Sequence, residues 1–211
     1  MTRWFALAAA LTVVLMSSTG AIPVRSHNEL RAPQVRTIRS LSLEFVGQFQ
    51  SSPPGVTPVT HIHYGYLSYI QGLSAFAHAP QDETTALFTF FADAATLRVI
   101  TNGPLRAITR VGTLTIYLDR STNGSFANPE TFRDGTPVLA ARFRQEVVSN
   151  TVTNSFTTFH QNTITSTRPF PANRGSVQLG EVSETFKTYF SGQGNMPGPP
   201  SGFFGGYALG G

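Results

Sequence analysis

Two histidines stand one residue apart in "THIHYGYLSYIQG", Thr60 to Gly72, with three tyrosines and a serine following. On an extended strand, side chains alternate between faces, so His61, His63 and Gly65 share one face. Ile62, Tyr64, Tyr66 and Ser68 line the other. A pair of imidazoles on one strand face supplies part of a zinc or iron site, which needs a third ligand from a neighbouring strand. His78 and His160 could provide it, as could Glu44 or Asp93. No glutamate follows the pair four or five residues on, where Leu67 and Ser68 stand. Three readings therefore stay open for His61 and His63: two ligands of a divalent metal, polar side chains satisfied inside the fold, or part of a ligand-cavity wall.

The third reading draws in the aromatic residues. Seventeen phenylalanines are present, and an aromatic-lined pocket with a few polar groups suits a small apolar molecule. The candidate ligand-binding residues are His61, His63, Tyr64, Tyr66, Phe90 and Phe156. The alternative is that the phenylalanines simply fill the core. Catalytic residues are not assigned. Asp93 with Asp119, and Glu181 with Glu184, are scattered carboxylates rather than an acid–base pair. There is no G-x-S-x-G elbow, and the glycine-rich "GQGNMPGPPSGFFGG" lacks the lysine of a phosphate loop. No cofactor is expected beyond the divalent metal that His61 and His63 could bind.

These groups must be positioned by strands. "LSLEFVGQF" alternates Leu41, Leu43 and Phe45 with Ser42, Glu44 and Val46, the period of a half-buried strand. "VGTLTIYLD" does the same with Leu114, Ile116 and Leu118. "VLAARFRQEVV", "TVTNSFTTFHQNTITST" and "SVQLGEVSETFKTYFSG" are long runs rich in Thr, Val, Phe and Tyr, which suit a pleated sheet. Pro-Pro-Gly, Asn-Gly-Pro and Asp-Gly-Thr-Pro break the runs with turn chemistry. The chain is predicted to be all-β. Long antiparallel strands leave edges to hide, and closure removes them. A single antiparallel barrel of about eight to ten strands is expected, its first strand (Leu41 to Phe49) meeting its last (Phe203 to Leu209). A two-sheet sandwich of the jelly-roll kind is the alternative. Arg142, Arg144 and Glu146 are expected to pair across strands with Glu181 and Lys187.

Composition bounds the setting. Residues 1–21 read as a signal peptide: Arg3 precedes the apolar "FALAAALTVVLM", and Thr19 and Ala21 stand before a cut site. The apolar run is shorter than the roughly 20 residues that span a bilayer. The expected location is secreted, extracellular or periplasmic, and the cysteine-free composition suggests a bacterial source. It also excludes thiol catalysis and Cys-type metal sites. Residues 22–40, with Arg25, Arg31, Arg36 and Arg39, read as a flexible arginine-rich arm that could touch an anionic envelope surface. Residues 41–211, about 170 residues, are long enough for one sizeable core. The net charge of +4 is mild, and nothing points to nucleic acid.

"HYGYLSYIQGL", "FTFFADAATLRVITNGPLRAITRVGTLTIYL", "NTITSTRPF" and "GFFGGYALGG" together resemble a group of uncharacterised exported bacterial β-barrel proteins. That likeness covers Leu41 to the C-terminus and implies a shared single-domain β fold, with no activity. "GFFGGYALGG" is also similar to the closing strand of dirigent and allene-oxide-cyclase barrels. The acid–base residues of those families have no match here, so none is carried over. Three functions follow as expectations: a barrel that holds a small apolar ligand or an envelope partner without catalysis; a metal-dependent, cupin-like enzyme or cofactor-free isomerase or cyclase; or a structural envelope or outer-membrane barrel protein.

Overall fold

The computed structural model describes residues 34–53, 55–172, 175–195 and 201–210. The expected signal peptide and the first part of the arginine-rich arm lie outside them. Eight strands close into an antiparallel barrel: β2 (Leu41–Ser51), β3 (Thr60–Ile70), β4 (Phe88–Asn102), β5 (Leu105–Leu118), β6 (Thr136–Asn150), β7 (Ser155–Thr167), β10 (Thr185–Gly194) and β11 (Ser201–Gly210). As the sequence predicts, β2 pairs with β11, from Leu41 opposite Gly210 to Gln50 opposite Ser201. A separate three-stranded sheet holds β1 (Val35–Ile38), β8 (Phe170–Ala172) and β9 (Gly175–Leu179). The arm therefore does not stay irregular to residue 40. Val35 to Ile38 pair in parallel with Ser176 to Leu179.

Period-two alternation decides which residues fill the lumen. Leu41, Leu43 and Phe45 of β2, Leu114, Ile116 and Leu118 of β5, and Ala141 and Phe143 of β6 are buried in one core. An eight-stranded barrel has an interior only just wide enough for side chains, and here glycines clear space for phenylalanines. A Cβ on Gly47 would stand 2.8 Å from the ring tips of both Phe90 and Phe204. One on Gly206 would stand 2.6 Å from the Phe190 ring. The resulting layer is edge-to-face or tilted: Phe45–Phe90 centroids are 5.1 Å apart, Phe45–Phe190 5.4 Å and Phe190–Phe204 4.8 Å.

That layer divides the barrel. On the side of Leu41, Ile70 and Phe88, aliphatic residues fill the lumen, and Ile38, Phe170, Val177 and Leu179 of the small sheet join the same core. Phe88 and Phe170 meet edge-to-face at 5.6 Å. On the other side the lumen opens.

The outer face of β6 is charged, while Phe159, Tyr189, Phe203 and Tyr207 are exposed on other strands. Arg142, Arg144 and Glu146 of β6 are exposed between the inward Ala141, Phe143, Gln145 and Val147. An outer-membrane barrel carries its apolar band on that outer wall. The ion pairs differ from those expected. Arg144 bonds Glu146 on its own strand at 3.0 Å, and Glu181 meets Arg39 at 2.7 Å. Residues two apart share a face, and Arg144 reaches along the strand rather than across it.

Candidate functional site

The open half of the barrel holds a cavity of about 540 Å3, within the range of small-molecule sites. Phe49, Phe156, Phe190 and Phe204 line its apolar part, with Val147 and Ile108 on the wall. His61, His63, Thr96, Gln145, Arg106 and Arg110 supply its polar groups. Among the described residues, no aspartate or glutamate lines the cavity. A second recess, of about 750 Å3, lies at the opposite end between the small sheet and the barrel, beside Tyr69, Leu73 and Phe170.

His61 and His63 both point inward and are buried. His61 is held at both ring nitrogens. Ser51 Oγ lies 2.5 Å from Nδ1 and Thr96 Oγ1 lies 3.1 Å from Nε2. A neutral imidazole has one donor and one acceptor nitrogen, so one hydroxyl accepts and the other donates. Burial, and then the nearby Arg110 guanidinium, push its pKa down to about 3. His63 differs: its Nδ1 is buried and has no hydrogen-bond partner among the described residues. Its ring stacks on His160, with centroids 6.4 Å apart, and meets Phe204 edge-on at 5.9 Å. Burial, followed by Arg110 and the other two histidines, holds it well below the usual histidine value.

His160 lies flat against Phe143, 4.8 Å between centroids. Its Nε2 accepts a 2.8 Å hydrogen bond from Gln145 Nε2, which places the ring proton on Nδ1. Burial, with Arg110 second, lowers its pKa to about 3. Gln145 Oε1 faces the other way and accepts a long 3.5 Å contact from Arg110 Nη1. Arg110 Nε is buried without a partner among the described residues. Burial pulls the guanidinium down to about 10, so it stays charged at neutral pH. Among the described residues, three histidines neutral at pH 7 thus surround the charged Arg110 guanidinium deep in the lumen.

Of the residues singled out from sequence, His61, His63 and Phe156 line this cavity. Phe90 does not; it sits in the packed layer beneath, against Phe45. Tyr64 and Tyr66 lie on the outer face of β3. There the segments after β3 and β5 fold over them, and Tyr64 packs 5.6 Å from Phe132 while Tyr66 packs 5.9 Å from Phe76. Phe132 belongs to a short 3-10 turn, Pro129–Phe132, capped by Asn128. The two tyrosines are buried because a loop covers them, which alternation alone does not reveal.

Of the candidate third metal ligands, His160 stacks on His63 with its Nε2 held by Gln145. Both His61 nitrogens are engaged, Glu44 and Asp93 are exposed on the outer wall, and His78 is an exposed loop residue bonded to Ala79 O at 2.9 Å. Among the described residues no group of three or more His, Cys, Asp or Glu is placed to hold a metal ion. Arg110 adds a repelling charge to a divalent cation at this spot.

No protein-family model, curated protein or solved structure matches the chain. The reading of function rests on the site itself.

Arg110 and Gln145 were absent from the sequence-based candidates. Their signal is the alternation itself. Leu118, Ile116, Leu114 and Gly112 lead back by twos to Arg110, Ile108 and Arg106, but the strand read from sequence begins only at Val111.

Proposed function

We propose that this protein holds a small, largely apolar molecule in the open half of its barrel without transforming it. The observation that carries the reading is the cavity itself: about 540 Å3, floored by phenylalanines and walled by a closed sheet. A closed barrel of this size either fills its lumen or holds one small ligand, and this one does the first on one side of the phenylalanine layer only. Acid–base catalysis near neutral pH calls for a group poised to titrate there. The lumen histidines are held far below that range, two of them at about 3, which favours holding over chemistry. The charged outer face of β6 weighs against the outer-membrane alternative, which needs an apolar band around the whole barrel. Contact of the arginine-rich arm with an envelope surface is a separate reading, narrowed because Arg39 is already paired with Glu181.

The test is a fluorescence titration with N-phenyl-1-naphthylamine, a neutral apolar probe that brightens on leaving water. Wild-type protein should bind it saturably. Ile108→Trp, which places a large ring from a half-buried wall position into the cavity, should weaken binding at least about tenfold, a change of about 1.4 kcal/mol. A folded Ile108→Trp variant that binds the probe as the wild type does would refute the lumen as the site.

A further inference from the structure

We propose that the barrel lumen selects an anionic ligand, a carboxylate on an apolar body, with the carboxylate seated at Arg110. This rests on the ligand-holding reading above and names the class of ligand.

Four observations lead there. Arg110 lines the cavity with only a long contact from Nη1 to Gln145, and its Nε has no partner among the described residues. A guanidinium presents five donors in a planar fork that matches a carboxylate two bonds at a time. Here most of that fork is uncommitted. Second, no carboxylate among the described residues lines the cavity. The nearest acid along the sheet, Glu146, faces outward, where it accepts from Thr109 Oγ1 and Arg144. Every ion pair among the described residues joins other arginines: Arg39, Arg133 and Arg144. A partly buried cation without a counter-charge is costly unless something supplies one.

Third, Arg106 stands four residues from Arg110 on the same face of β5, with Ile108 between them, and also lines the cavity. It is exposed nearer the mouth, so an entering anion meets two cations in file. Fourth, His63 lines the cavity beside Arg110, and its buried Nδ1 is also without a partner among the described residues. The rest of the wall is apolar: Phe49, Phe156, Phe190, Phe204, Ile108 and Val147. A hydrophilic anion such as free phosphate would leave that surface wet. An apolar molecule ending in a carboxylate satisfies both halves.

The experiment displaces N-phenyl-1-naphthylamine with dodecanoate and with dodecanol, which share the alkyl chain and differ in the charged head. In the wild type, dodecanoate should displace the probe at about tenfold lower concentration or less, as charge-assisted hydrogen bonds imply. In Arg110→Gln that preference should fall to within about twofold. Arg110→Lys, which keeps the charge without the fork, should retain part of it, and it carries the test if the glutamine variant does not fold. Equal displacement by the two competitors in wild-type protein, or an undiminished preference in Arg110→Gln, overturns the anion assignment and leaves ligand holding intact. Absence of probe binding to the wild type, or binding unchanged in Ile108→Trp, overturns ligand holding and this inference with it.

Discussion

The lumen histidines differ from free histidine because they are buried beside a cation. Their protonation must therefore couple to unfolding. His160 has a folded pKa of about 3 against the ordinary 6.5, so the unfolded chain binds a proton that the folded chain refuses. Stability from this group is complete above pH 6.5 and is lost as pH falls from 6.5 towards 3. At pH 5.5 the loss from His160 alone is about 1.4 kcal/mol. His61 and His63 act in the same direction. Unfolding free energy from urea titrations should fall between pH 7 and pH 4. In His160→Phe the slope should be shallower by up to one proton. That variant also leaves the Gln145 amide unbonded, costing about 1–3 kcal/mol at pH 7. An unchanged slope in His160→Phe would show that this ring is not a buried neutral histidine. At the same scale, the shared face of His61 and His63 was legible from their spacing. Arg110 was not, because "RAITR" puts two arginines into a run that otherwise alternates small and apolar residues, hiding the strand's first half.

At the scale of elements, lumen glycines and phenylalanines work as pairs across neighbouring strands. Gly47 faces inward below Phe90 and Phe204, whereas Gly205 faces out and its added Cβ would find only Phe45 O, at 3.6 Å. Gly47→Ala should destabilise by about 1–3 kcal/mol, as overpacking does, and Gly205→Ala should lie within about 0.5 kcal/mol of wild type. Urea midpoints at constant m-value check both. Equal effects would mean that the lumen is not packed as described. The same elements show how far the pattern reaches. β4 runs unbroken from Phe88 to Asn102, with the register slipping between Thr96 and Arg98. That slip reverses the alternation and so looks like a break. Conversely, "SVQLGEVSETFKTYFSG" contains two strands, because Gly180 and Ser183 take positive φ values of 61° and 74° and turn the chain. Positive φ at a serine leaves no trace in hydrophobic periodicity.

At the scale of the whole molecule, barrel closure was legible because the strands are long and the first and last both carry lumen-facing residues that match in register. The small sheet was not. Its three strands are short, β1 falls in an arginine-rich segment without alternation, and its pairing with β9 is parallel and distant in sequence. The asymmetry of the lumen was equally hidden, since it depends on which phenylalanines meet at one level of the barrel. That asymmetry gives the central claim: one half of the barrel is core and the other is a receptacle. A ligand that binds only the folded state stabilises it by mass action, about 2.7 kcal/mol at a hundredfold excess over Kd, so a tightly held native ligand should survive purification. The most direct measurement is native mass spectrometry of the full protein isolated from its own host. The expected result is a discrete non-covalent adduct that is lost on denaturation and absent from Ile108→Trp. A bare chain mass for the wild type, or the same adduct on Ile108→Trp, would contradict the account.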